Sequence, residues 1–340
     1  MGKKVTFADI ARKTGFSKTT VSRYFNSPEY LTEENRRIIA DALEELDYKE
    51  NKVARILANG KTEVIGIILT KLNDQFFSEV LHEILSTYEK YGYKFLVFTG
   101  NRDKEKEKRY LSELAAYNVE GLIVLSTTVP SEELLEYNIP VVAIEREDAH
   151  ISSVTCDNYL GGVLATTLLL QSNCEVLVHI NNDIGPSVPG YGRIRGFLDM
   201  AGESGLPYEF YTNRIGSTRE ENEALVMQVI NELNRKYPDK KKGIFMSNDT
   251  NAGIMVNILV QRYGRLPADY RVVGFDDIAM AKEAVIPIST VKQQIDVMVN
   301  AAMEILNLQI GEFKETGDLK KVKQIHRVIP PILIRRRTTD

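Results

Sequence analysis

Cysteine is almost missing from this 340-residue chain: Cys156 and Cys174 are the whole complement. Two cysteines 18 positions apart, with no export-signal pattern in the first residues, do not build a disulfide scaffold. They read as reduced, buried thiols of a cytoplasmic protein. Histidine is as sparse. His82, His150, His179 and His326 are scattered without metal-ligand spacing, so no metal site is expected. No apolar run approaches the ~20 residues that a membrane-spanning helix needs. An intact phosphate-binding loop is lacking too. Asn59–Thr62 reads NGKT, but the leading glycine would fall at position 55, which is Arg. The run GYGRIRG at 190–196 fails the dinucleotide-binding spacing and follows no clear strand. With no nucleophile–base pair in view, neither catalytic residues nor cofactors are expected, and the chain reads as something other than an enzyme.

What is present divides unevenly. Residues 1–61 carry twelve Lys/Arg against nine Asp/Glu, whereas residues 62–340 carry 31 against 38. A basic head on an acidic body is drawn to a polyanion at one end only.

The head, residues 1–50, reads as all-α. Thr6, with Asp9 three residues on, is a capping signature for a first helix. Ile10 and Ala11 face inward, and Gly15 stands where a left-handed turn residue is needed. Ser17 caps a second helix on which Val21 and Phe25, four apart, share the inner side. Lys18 and Ser22, and Thr19 and Arg23, share the outer one. Such a helix fits the major groove of DNA. There an Arg can pair with guanine in bidentate fashion, and short hydroxyls such as those of Thr20 and Ser22 can approach phosphates. The plain alternative is an ordinary solvated helix pair. A third helix, capped by Thr32 and led by Glu33 and Glu34, carries the stripe Ile38, Ile39, Ala42, Leu43, Leu46. Together these make a helix-turn-helix head.

From Thr62 onward, strand-like runs alternate with helical ones. Strands are expected at 64–70, 94–98, 121–125, 141–144, 175–180, 243–246 and 271–275. Helices are expected near 76–91, 104–118, 158–171, 190–204, 219–236, 249–263 and 295–310. That alternation predicts parallel sheets covered on both faces, and the length suits two doubly wound lobes. Ligands of such folds sit at the carboxyl ends of strands. Phe76 and Phe77, Ser126 and Thr127, Glu145 and Arg146, Asn248 and Asp249, and Asp276 and Asp277 fall there. Arg193 opens a helix after a Gly/Pro-rich loop. Aromatic faces with carboxylates, amides and an Arg suit the hydroxyls of a sugar. Asp249 and Asp277 read rather as helix caps, and Phe76 serves equally as lobe core or pocket wall.

The runs VTFADIARKTGFSKTTVSRYFN and LDYKENKVARILANGKTEVIGII resemble the lactose/galactose-repressor (LacI/GalR) family, densely in the head and more loosely over nearly the whole chain. The resemblance implies that Lys18, Thr19 and Arg23 read bases. It implies that Thr6, Ser17, Thr20, Ser22 and Asn26 lie against the DNA backbone. Residues 51–61 then form a hinge helix and linker in which Asn51, Ala54 and Arg55 contact DNA and Leu57 enters the minor groove. The other reading is that Val53, Ile56 and Leu57 only dock a linker. The family usually has Pro where this chain has Glu50, and many members carry a Gly-His pair where it has Ser172, Asn173 and Cys174. The body, 62–340, is implied to be of periplasmic-binding-protein type. Lobe 1 covers about 62–157 and 292–325, and lobe 2 about 158–290 and 326–340. Crossings are expected near 156–161, 289–293 and 326–332.

The resemblance places Phe76, Phe77, Glu145, Arg193, Asn248 and Asp276 at an effector site between the lobes, with Arg193 and Asp276 its most recurrent contacts; Ser126 is expected there from its place at the end of the third strand. The function implied is a sequence-specific transcriptional regulator, acting as a repressor. Its affinity for double-stranded operator DNA would be controlled by a small effector, a sugar or sugar phosphate. A purine-type corepressor is the alternative, and a transport solute-binding protein a more distant one. A homodimer is implied, meeting through the helices near 76–90 and 249–263, with no membrane partner. No heptad run supports a coiled-coil tetramer.

Overall fold

The computed structural model describes residues 5–49, 61–182, 184–186, 188–212 and 218–340. The chain divides into two compact units, Met1–Lys61 and Thr62–Asp340. Glu50 and the hinge residues Asn51, Ala54, Arg55 and Leu57 lie outside the described residues.

The head is three helices, α1 (Phe7–Thr14), α2 (Lys18–Asn26) and α3 (Glu33–Glu45). Each begins where a side chain takes up an otherwise orphaned donor. The Asp9 carboxylate accepts from Thr6 N and Oγ1, at 3.0 and 2.7 Å. Ser17 Oγ accepts from Thr20 N at 3.0 Å, and Thr32 Oγ1 from Asn35 N at 3.2 Å. Gly15, at φ 75°, ends α1 in the left-handed conformation that lacks a steric penalty only for glycine. Ile10, Val21, Leu31 and Ile39 form the buried centre, and the rings of Phe7 and Phe25 stack beside it at 5.2 Å. Ile38, expected in the inward stripe, is exposed instead, because the packed face of α3 is centred on Ile39 and Ala42.

The body contains two six-stranded sheets. The first is β11(His326–Ile329)-β5(Ser152–Cys156)-β4(Val141–Ile144)-β3(Gly121–Leu125)-β1(Val64–Leu69)-β2(Lys94–Thr99), parallel throughout. The second is β12(Ile332–Ile334)-β10(Ser289–Lys292)-β9(Tyr270–Asp276)-β8(Lys242–Met246)-β6(Val176–Ile180)-β7(Tyr208–Tyr211), parallel except for β12. The central strands are apolar on both faces, as strands covered on both sides must be. The Ile295–Thr316 helix packs on the first sheet, and Asn158–Gln171 on the second.

The strands β5, β7, β10 and β11 are not among those expected. Two of them, SSVTC and STVK, are polar in sequence, yet every residue but Lys292 is buried. Their hydroxyls bond within the fold. Ser152 Oγ accepts from Gln309 Nε2 at 2.7 Å, and Thr290 Oγ1 donates to Asp249 at 2.6 Å. The chain crosses between sheets after Cys156, after Lys292 and at Pro330–Pro331. The boundary expected at 326 therefore moves. His326–Ile329 pairs with β5 on the first sheet, since proline, lacking an N–H, stops the ladder only at 330. Lys292 likewise closes a strand of the second sheet rather than opening the first lobe's return.

The basic run Arg335–Arg337 follows the apolar strand-like run IPPILI and reads from sequence as solvated edge charge, yet it is partly structural. Arg336 Nη2 meets Asp277 Oδ1 at 2.6 Å, and its Nη1 donates to Ile288 O at 3.0 Å. Asp277 is buried, so Arg336→Ala leaves it, among the described residues, with Lys282 at 3.7 Å as its remaining cation. A loss of about 1–3 kcal/mol is expected, smaller than for a fully buried pair. It should appear as a lowered Tm that Asp277→Asn partly restores in the double variant. Independent, additive losses would show that the pair does not interact.

Candidate functional site

On α2, Lys18, Thr19, Arg23 and Asn26 are exposed, while Thr20 and Ser22 are half-buried. Positions 19, 23 and 26 succeed one another at helical spacing, so they form one outward ridge. Thr20 Oγ1 lies 2.8 Å from Ser17 Oγ, and Asn26 Nδ2 donates to Ser22 Oγ at 3.1 Å. The first contact holds short hydroxyls at the start of α2, where backbone N–H groups and the dipole attract phosphate; the second steadies Asn26 at the far end of the same helix. Thr6 stands at the matching start of α1.

In the body a cavity of about 430 Å³ opens at the carboxyl ends of the strands of both sheets. It lies within the range of small-molecule sites, ~300–1,000 Å³. Phe76, Phe77, Glu145, Arg193, Asn248 and Asp276 line it. Phe76 is both wall and core: it is buried against the first lobe and also packs edge-on to Phe77, at 5.5 Å between ring centroids. Asn248 caps the Asp249–Tyr263 helix, accepting from Asn251 N at 2.9 Å.

Ser126 is not in the wall. It is turned into the first lobe, where its Oγ donates to the buried Glu107 carboxylate at 2.8 Å. The neighbouring Arg146 guanidinium donates to Ser126 O and Val129 O at 3.1 and 2.8 Å. That network rotates the loop so that Thr127, one residue on, faces the cavity. Burial pushes the Glu107 carboxyl up, against hydrogen bonds from Ser126 and Thr128 that lower it. Asp249 and Asp277, read as caps, cap no helix. Asp249 accepts from Ile278 N at 3.0 Å, and Asp277 pairs with Arg336.

Arg193 is the centre of the arrangement. Its guanidinium lies 3.6 Å over the Phe275 ring. Nε donates to Asn158 Oδ1 at 2.7 Å, Nη1 to Ser247 O at 2.8 Å, and Nη2 stands 3.9 Å from Asp276 Oδ1. The GYGRIRG run explains how it gets there. A Cβ on Gly196 would fall 2.3 Å from Tyr159 O, and one on Gly162 would fall 2.4 Å from Arg193 O. The glycines thus let the Tyr191–Ser204 and Asn158–Gln171 helices touch backbone to backbone. Only at that separation does Arg193 reach Asn158.

The carboxylates around it are perturbed. Asp276, at φ 108°, has its carboxyl pushed up to about 7, chiefly by burial, with Arg193 and a 2.7 Å hydrogen bond from Gln293 Nε2 opposing. Glu145, at φ 55°, is raised by burial and accepts from Cys156 N at 2.6 Å. Left-handed conformations at non-glycine residues cost energy and gather at functional sites. His179, unremarkable in sequence, holds one wall. Burial drives its pKa down to about 3, so it is neutral. Nδ1–H donates to Phe245 O at 2.9 Å, which leaves Nε2 to accept from Asn181 Nδ2 at 3.1 Å. Asn158, Asn181, Asn182 and Gln293 are thus site residues that lay outside the expected set. Nothing local marks them, since all four sit at strand-end or crossing positions whose facing depends on the other lobe.

Residues 6–51 match the family described as bacterial regulatory proteins, lacI family, and residues 169–339 a periplasmic binding protein-like domain. The chain is 29% identical over 335 residues to the ribose operon repressor of Halalkalibacterium halodurans, covering 98% of this chain and 97% of that one. It is 30% identical over 289 residues to the sucrose operon repressor of Pediococcus pentosaceus, covering 84% and 86%. A solved lac repressor dimer, bound to operator and the anti-inducer ONPF, shares the fold with a TM-score of 0.81. That likeness covers 99% of both chains at 22% identity.

Proposed function

The chain belongs to the lacI family of bacterial regulatory proteins and is a DNA-binding transcriptional regulator; we propose that it is a repressor whose operator affinity is set by a sugar held between its two lobes. The observation that carries this is the cleft itself, where Arg193, Asp276, Glu145 and Asn248 surround one cavity with Phe76 and Phe77 along its side. Fixed donors and acceptors beside flat apolar faces complement a ring with hydroxyls on its rim and C–H groups on its faces.

The head works as a groove reader. Lys18, Thr19 and Arg23 meet base edges, while Thr6, Ser17, Thr20, Ser22 and Asn26 hold phosphates. Two copies of the chain present two heads to two half-sites, as in the dimeric relative on its operator. The sugar acts by preferring one arrangement of the lobes, and it shifts operator affinity only by that preference. Sugar repressors among the relatives support a carbohydrate effector.

The test uses the full chain. Selection from random duplexes should yield a two-fold symmetric site. Fluorescence anisotropy on that site, titrated with mono- and disaccharides and with purines, should show one sugar changing the affinity. A purine acting in place of every sugar would overturn the carbohydrate assignment. Arg23→Ala is expected to weaken the selected site by about 5- to 150-fold, corresponding to ~1–3 kcal/mol. Binding to unrelated duplex should fall only slightly. Equal losses on both would assign Arg23 to phosphate rather than to a base.

A further inference from the structure

The cleft also says which kind of sugar it takes. Resting on the effector reading above, we infer that the effector is an unphosphorylated, uncharged polyol whose hydroxyls donate to Gln293, Asn182 and Asp276.

The argument begins with Gln293, which is 2% exposed at the second crossing between the sheets. Its Nε2 donates to Asp276 Oδ1 at 2.7 Å. With Asp276 ionised that bond fixes the amide, because the flipped orientation would set its oxygen against a carboxylate oxygen. Gln293 Oε1 is then shielded from solvent and, among the described residues, accepts no hydrogen bond. Asn182 Oδ1, at the end of β6, is in the same condition. Both residues line the cleft. A buried acceptor left without a donor costs about 1–3 kcal/mol, so a ligand supplying O–H groups there recovers energy that no acceptor-only group can.

The charges agree. Asp74, Glu145 and Asp276 line the same cavity. Arg193 faces them but is already engaged by Asn158, Ser247 and the Phe275 ring. Among the described residues Arg102 is the other cation of the wall, and it is exposed, where its charge is screened by solvent. A phosphate ester carries a charge of about −1.5 to −2 and only acceptor oxygens on its outer face. In this cleft it would meet carboxylates and orphaned carbonyl oxygens. A neutral polyol meets the same groups with donors.

The test is thermal shift and isothermal titration of the full chain with matched pairs: ribose and ribose 5-phosphate, glucose and glucose 6-phosphate, fructose and fructose 6-phosphate, with sucrose and adenine alongside. At least one free sugar should bind, and its phosphate ester should bind about 30-fold more weakly or not at all. That ratio is of the order given by leaving buried polar groups unpaired. Gln293→Met, which keeps the volume and removes the acceptor, should weaken the free sugar about 10-fold. Tighter binding of an ester, abolished by Arg102→Ala, would overturn the inference and leave the sugar-effector reading standing. Binding of adenine alone, or of none of these probes, would overturn both.

Discussion

Arg193→Ala should remove the response to effector while the free repressor still binds its operator. The side chain lies in the body, and none of its partners belongs to the head unit. Its guanidinium uses three features at once: a fork of donors, a flat face on Phe275, and a charge opposite Asp276. Truncation leaves Asn158 Oδ1 and Ser247 O without their donor, and Asp276 without its main counter-charge. Losses of about 2–5 kcal/mol accompany removal of one member of such a buried arrangement. Effector affinity should therefore fall by about 30- to 4,000-fold. Arg193→Lys should not restore it, because an ammonium cannot serve Asn158 and Ser247 together while stacking on a ring. Operator anisotropy with and without effector measures this directly. A response of normal size in either variant would place the effector elsewhere.

Asp276→Asn should make the effector-free protein more stable and the effector weaker. The carboxyl titrates at about 7 in the fold and near 3.9 in an unfolded chain. At pH below ~4 both states hold the proton, and the group costs nothing. Between ~4 and 7 the unfolded state has released its proton and the folded state has not, so stability falls as pH rises. Above 7 the loss is complete, at most about 4 kcal/mol from a difference of about three pKa units. Asparagine removes that dependence, keeps an acceptor for Gln293 Nε2 and tolerates a positive φ. The gain in Tm over the parent should therefore be several degrees at pH 8 and smaller at pH 5. Effector affinity should drop about 10-fold or more, since a hydroxyl bonds a carboxylate more strongly than an amide. In the parent, the same titration should raise effector affinity between pH 6 and 8, with Arg193, Gln293, Glu145 and Asp74 as the facing groups. A Tm gap that is equal at both pH values would mean that Asp276 is not the strained group.

These two effects oppose each other because the site is built at the expense of the fold. A carboxylate held at φ 108° in a buried cleft, beside an orphaned amide oxygen, is poor packing and good recognition.

The head was legible from its residues because local chemistry decides it. Caps at Thr6, Ser17 and Thr32, a left-handed Gly15 and a four-residue apolar spacing act within one or two helical turns. The alternation of apolar runs and helical patterns likewise predicted the parallel sheets, because a strand buried on both faces must be apolar throughout. What only the tertiary structure decided was the facing of polar side chains where strands end. Ser126 and Thr127 are equivalent as sequence, and Glu107 and Arg146 select between them from 19 and 20 positions away. The crossing strands SSVTC and STVK carry little apolar signal, since their hydroxyls are satisfied by residues up to 173 positions distant. Gln293 counts as a site residue only because Asp276 fixes its amide. Arg193 reaches the cleft only because Gly162 and Gly196 bring two helices into backbone contact. Propensity and periodicity act over a few residues, whereas a cleft is assembled from groups whose separation along the chain bears no relation to their separation in space.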